Sequence, residues 1–136
     1  MENPISRHEA DLIQSAFHLI DTSSIDFSNL FYQLLFKRKP QLRSIFPSDL
    51  TRQKMKFLNT LNIIVNGCMV LHKMEHTIEA LGEMHRPFKA SPEDYEAVGE
   101  ALIESLQEHC SKNWSPETAI AWRKIYRYIA DIMMSV

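Results

Sequence analysis

The reading of this chain turns on Leu81-Gly82-Glu83-Met84-His85-Arg86-Pro87-Phe88. Helical spacing runs up to this stretch from about Lys73, and Pro87 ends it, because a proline disfavours helix in the residue before it. His85 therefore stands at a helix end with Leu81, Met84 and Phe88 around it. A lone histidine so placed is ordinarily a structural end residue. It is also how a helix presents one imidazole to an apolar cavity, and the rest of the chain has to decide between the two.

On either side of this stretch, helix follows helix. Ser6-Arg7-His8-Glu9 is a capping-box pattern, and Leu12, Ile13, Ala16, Phe17 and Ile20 follow at helical spacing, predicting a first helix that ends near Asp21. Phe27, Leu30, Phe31, Leu34 and Leu35 make a second stripe, interrupted by Pro40 before a short turn-like segment through Leu42 and Ile45 to Phe46. After Pro47-Ser48-Asp49, a long helix starts near Thr51 and puts Phe57, Leu58, Leu61, Ile64, Val65 and Cys68 on one face. Ser91-Pro92-Glu93-Asp94 and Ser115-Pro116-Glu117 each give a cap, a proline at the first helical position and acids in the first turn. The helices they open run to about Cys110, with Tyr95, Val98, Leu102 and Leu106 inward, and to the chain end, with Ala119, Trp122, Tyr126, Ile129 and Met133 inward. Nothing alternates with period two. The expectation is all-α: six main helices plus a short one, crossed rather than bundled, in a single domain spanning 1–136.

Composition removes whole classes of function. A chain of 136 residues with 45% apolar and 24% charged residues is one globular domain. Its net charge of −2 offers no basic stripe for nucleic acid. No apolar run approaches the roughly 20 residues of a membrane span, and the polar start Met1-Glu2-Asn3-Pro4-Ile5-Ser6 is no secretory leader. Cys68 and Cys110 are too few for a disulfide framework, so a reducing cytoplasm is expected. Three glycines, Gly67, Gly82 and Gly99, cannot build a nucleotide-cradling loop.

Several pieces now fall into one order. Phe31-Tyr32-x-x-Leu35-Phe36, Pro40 with Phe46 six residues on, Gln53, His85, Tyr95-x-x-Val98-Gly99-x-x-Leu102 and Ala121-Trp122-x-x-Ile125-Tyr126 together resemble a bacterial single-domain globin of the flavohaemoglobin type. The resemblance runs from about residue 6 to 134. It implies a three-over-three globin fold with haem b between the long distal helix and the helix ending at His85. It makes His85 the proximal iron ligand, places Tyr32, Gln53 and Phe57 on the gas side, stacks Phe46 on the porphyrin, and gives Leu81, Phe88, Tyr95 and Val98 to the cofactor pocket. Phe57 departs from the aliphatic residue often found there, which suggests a tighter cavity.

The residue types suit that chemistry. Imidazole is a good ligand for haem iron, and its second nitrogen can donate to a backbone carbonyl near a helix end. A gas that gains partial negative charge needs a donor in a dry pocket, and Tyr32 and Gln53 supply O–H and N–H₂. No Cys-x-x-Cys-His stretch would attach haem covalently. Reversible binding of oxygen, alongside nitric oxide and carbon monoxide, is the first expectation. Nitric-oxide dioxygenation or peroxidase-type detoxification with a separate reductase is the alternative, and a haem-less globin-like sensor a third reading; the state expected is a monomer or weak homodimer. Flavohaemoglobins bring a glutamate from the last helix to the proximal histidine through a tyrosine matched by Tyr95. The sequence ends at Met133-Met134-Ser135-Val136, at or just before the place where that carboxylate would fall, so no candidate glutamate is expected here, nor a flavin or nicotinamide domain.

The remaining polar groups read more simply. His72 and His76 could face one way on a helix as a zinc pair, but no third ligand is in view, and they are taken as solvated. Lys54 and Lys56 read as a solvated face, with one able to pair a haem propionate or, in the case of Lys56, to reach the sixth iron position when gas is absent. The seven methionines are flexible core filler.

Overall fold

The computed structural model describes residues 2–136; Met1, the first residue of the polar start, lies outside them. Six α-helices follow one another: α1 Arg7–Phe17, α2 Asp26–Arg38, α3 Thr51–Asn66, α4 Glu75–His85, α5 Pro92–Cys110 and α6 Pro116–Ser135. Short 3₁₀ turns join them, one of them, Pro40–Ile45, being the expected short segment. There is no strand among the described residues, and no helix is long and apolar enough to cross a membrane.

Local chemistry sets the starts. Ser6 Oγ accepts from the Glu9 amide while Glu9 returns a bond to the Ser6 amide, completing the predicted box. Ser91 and Asp94 form the same reciprocal pair at α5, and Ser115 accepts from Thr118 at α6. α3 opens differently: the Asp49 carboxylate accepts from both the amide and the hydroxyl of Thr51. Both hydrogen bonds hold the Asp49 carboxyl below its ordinary pKa.

Three boundaries and one face differ from expectation. α1 stops at Phe17, four residues before the expected end near Asp21, because the amides of Leu19 and Ile20 turn to the carbonyls of Ala16 and Phe17 and tighten the chain. α4 begins at Glu75, since Cys68–Met74 is 3₁₀ turn with Val70 out of helical geometry (φ −130°, ψ 39°). Cys68 is thus buried beyond α3 rather than on it. α6 buries Thr118, Ala121, Trp122, Ile125 and Ala130, so Ala119, Tyr126, Ile129 and Met133 lie at the edge of the buried stripe rather than at its centre.

The helices make two crossed layers in the three-over-three globin arrangement, α1, α3 and α4 on one side and α2, α5 and α6 on the other. α2 lies along α5 and α5 along α6; between the layers α1 and α4 cross α6, and α3 crosses α2. One core holds them, built on Phe17, Phe27, Phe31, Leu35, Leu106, Trp122 and Ile125. Cys68 and Cys110 are free and buried in it.

His72 corrects the expectation of a solvated side chain. Asn3 accepts from the His72 amide at 3.2 Å, lies 3.3 Å from its ring nitrogen, and donates to the carbonyl of Cys68 at 2.8 Å. The amino-terminal segment is thereby pinned to the turn before α4. His76 is exposed and meets only Glu79, and the described residues hold no group of three metal-ligating side chains.

Candidate functional site

α2, α3 and the turn between them gather the aromatic residues. The Tyr32 ring is 4% exposed and is met by Phe31 at 5.0 Å, Phe36 at 5.9 Å, Phe46 at 5.7 Å and Phe57 at 5.7 Å between centroids. Phe46 reaches this cage because Arg43 fixes the loop that carries it, donating to the carbonyls of Phe46, Pro47 and Ser48 at 3.3, 3.0 and 2.9 Å. The same guanidinium lies 5.5 Å from the Phe36 ring centroid. Arg43 escaped the sequence reading, because a helix-end arginine carries no signal of which carbonyls it will find.

Gln53 projects from α3 into the same place. Its Nε2 donates to Tyr32 Oη at 3.1 Å, joining residues 21 apart in sequence. That hydroxyl makes no hydrogen bond as donor to any described residue, so its own proton is available. Burial pushes the Tyr32 pKa up against the smaller opposing pull of Gln53, so the group stays protonated at neutral pH.

His85 closes α4. Its Nδ1 lies 2.7 Å from the Leu81 carbonyl, and since a carbonyl can only accept, Nδ1 carries the proton. Nε2 has no partner among the described residues, and in the neutral imidazole it carries the lone pair with which a histidine binds metal. The residue is exposed.

α3 packs on α1 and α2 and α4 on α6, while α3 and α4 do not pack closely on each other. Phe46, Phe57, Leu81 and Val98 are only half-buried, apolar surface that the protein itself does not cover. Phe88 stands further out, 52% exposed, with its ring 6.5 Å from that of His85. A flat apolar group with a metal centre fits this donor set: a free imidazole nitrogen, uncovered aromatic faces and a buried phenolic donor.

Behind His85 lies a hollow of about 250 Å³, lined among others by Gly82, Tyr95, Met133, Met134 and Val136 and by no acidic side chain. Tyr95 lines it, and its backbone carbonyl accepts from the Tyr126 hydroxyl, which ties α6 to the first turn of α5. Lys56 lines a separate hollow along α3 with Arg52, Met55 and Asn59. It is exposed and belongs to the solvated face.

A globin family model matches residues 29–133, which takes in Tyr32, Gln53, His85 and the α5 and α6 motifs. The chain is a globin. It is similar to flavohemoprotein B of Dictyostelium discoideum, 24% identical over 131 residues, 96% of this chain and 31% of that protein. Similarity extends to the flavohemoproteins of Vibrio cholerae, 23% identical over 133 residues with 96% and 34% covered, and Bacillus cereus, 24% over 136 residues with 97% and 33% covered. This globin therefore spans about a third of the length of the curated relatives it matches.

Proposed function

We propose that this globin binds haem b through His85 and reversibly holds a diatomic gas, oxygen foremost, against Tyr32 and Gln53. The observation that carries the reading is the Tyr32 hydroxyl: caged by four aromatic rings, accepting from Gln53, and keeping its own proton free. Bound haem supplies an iron position for oxygen, nitric oxide or carbon monoxide and the redox couple that nitric-oxide dioxygenation requires. The protein supplies the rest. His85 Nδ1–H, held by the Leu81 carbonyl, fixes the ring orientation and leaves Nε2 as the nitrogen for the iron. Phe46, Leu81, Val98 and Phe57 offer apolar surface to the cofactor, Phe88 and Tyr95 flank the His85 side, and the aromatic cage keeps water from the Tyr32 hydroxyl. Tyr32 then donates to a ligand that gains negative charge, while Gln53 holds the tyrosine oxygen in register.

Nitric-oxide dioxygenation or peroxidase-type detoxification, served by a separate reductase, is the second reading, supported by the similarity to flavohemoproteins. A visible absorption spectrum of the purified chain, ferric, reduced, and reduced with oxygen or carbon monoxide, tests the reading directly. A hydrogen bond to a partly charged ligand is worth about 1.5–3 kcal/mol, so Tyr32→Phe is expected to speed oxygen dissociation roughly ten- to a hundredfold. An unchanged rate removes Tyr32 from the mechanism, and a chain that retains no haem ends the proposal.

A further inference from the structure

α3 carries a second organised face, turned to solvent and separate from the one that bears Gln53 and Phe57. Arg52, Lys56, Asn59, Ile63 and Asn66 are all exposed and follow one another at steps of four, three, four and three residues. That spacing lays them in one row about 21 Å long. The row is basic at its start and apolar towards its end. Between residues 50 and 74 there is no aspartate or glutamate. The three cations of α6 each meet a carboxylate, Arg123 on Glu100, Lys124 on Glu9 and Arg127 on Asp131. Arg52 and Lys56 make no ion pair among the described residues. Both line a hollow of about 480 Å³, and the one carboxylate at its edge, Asp49, is taken up by the amide and hydroxyl of Thr51. Met55 and Ile63 are each 57% exposed, and Met69 and Val70 continue the apolar surface beyond the helix end.

We propose that this face docks an acidic protein, which lays an amphipathic helix along the row with carboxylates over Arg52 and Lys56 and apolar side chains over Ile63. Four-three spacing is the seam along which two helices pack, and cations left without a counter-charge select a partner of opposite sign. A lipid surface suits the row less well. Asn59, Asn62 and Asn66 would have to enter an apolar layer, where the single bond from Asn66 Nδ2 to Asn62 Oδ1 leaves the other amide groups unmet. A second copy presenting the same face brings no carboxylate to the cations. The docking does not depend on haem.

The probe is a synthetic helical peptide of about 20 residues, with glutamates at one end of a leucine-bearing face, titrated calorimetrically into the full chain at low and high salt. Hydrogen exchange maps the contact, and circular dichroism checks the fold of each variant. The peptide is expected to slow exchange between residues 51 and 70, and to lose affinity at least about tenfold in Arg52→Glu/Lys56→Glu and again in high salt. The same peptide with lysine in place of glutamate is expected not to bind. If the double variant does not fold, Lys56→Glu alone decides. No binding of the acidic peptide, or binding that survives the charge reversal, overturns the proposal. Protection of α3 by vesicles of phosphatidylserine and phosphatidylcholine, but not by the peptide, assigns the face to a membrane and overturns it as well. Protection that grows with the concentration of the chain alone assigns the face to a second copy, with the same consequence. Haem uptake is scored separately from the absorption spectrum and bears on the gas-binding reading alone.

Discussion

Tyr32 and Gln53 act as one unit, because the amide that steadies the phenol has no other described partner. Removing Gln53 leaves the Tyr32 oxygen without its donor, and removing Tyr32 leaves Gln53 without its acceptor. Oxygen dissociation rates in the wild type, Gln53→Leu, Tyr32→Phe and the double variant should therefore be non-additive, with a coupling of about 0.5–3 kcal/mol. Strict additivity would show that the two donors reach the ligand independently. The types of both residues were legible in the sequence, and so was the helical face of each. Their meeting was not, since a contact between residues 21 apart depends on how α3 crosses α2. The His85 tautomer was likewise open until the Leu81 carbonyl was found 2.7 Å from Nδ1.

At the level of the helices, α4 reaches its position by lying close against α6. A Cβ on Gly82 would come within 2.7 Å of the Met133 carbonyl oxygen and 2.8 Å of its Cα. Both are backbone atoms, which no rotamer change can move aside. Gly82→Ala must push α4 off α6, and is expected to cost about 1–3 kcal/mol, read as a lower urea midpoint at unchanged helix content. A midpoint equal to the wild type would mean that the α4–α6 contact yields without strain. The stripe ahead of His85 and its closing Pro87 were plain in the sequence, and so were the caps at Ser6, Ser91 and Ser115, because capping is a bond between residues three apart. The start of α4 was misplaced by two residues because its turn is fixed from afar, by Asn3 on the Cys68 carbonyl and the His72 amide.

Across the whole molecule, all four tyrosines titrate above their ordinary value because burial disfavours the phenolate, most strongly at Tyr126, where Tyr95 adds to the effect. Below about pH 10 the folded and unfolded chains both hold these protons, and above it the unfolded chain ionises first. Stability must then fall as pH rises. The urea midpoint is expected to drop between about pH 8 and pH 11, chiefly through Tyr126 and Tyr32, and a constant midpoint would mean that neither phenol stays buried in solution. A second long-range tie acts at the other end of the scale. Asp94 pairs with Lys39 while also capping α5; burial opposes ionisation, but the bonds from Lys39 and Ser91 prevail and keep its carboxyl below the ordinary value. That pair joins the end of α2 to the start of α5, and nothing near either residue in the chain announces it.

The amino-acid order alone specifies six helices among the described residues, with a histidine at the end of the fourth, because helix periodicity, caps and proline stops are interactions among near neighbours. It also placed an ordered aromatic and polar series that matched one family. Helix packing brings Phe31 behind Phe57, carries Phe46 to Tyr32 through Arg43, sets Gln53 to donate to the phenol, and lines the hollow beside His85 with methionines. Those contacts depend on crossing angles and close helix approaches, which are set by the packing of the whole core and have no local signature along the chain.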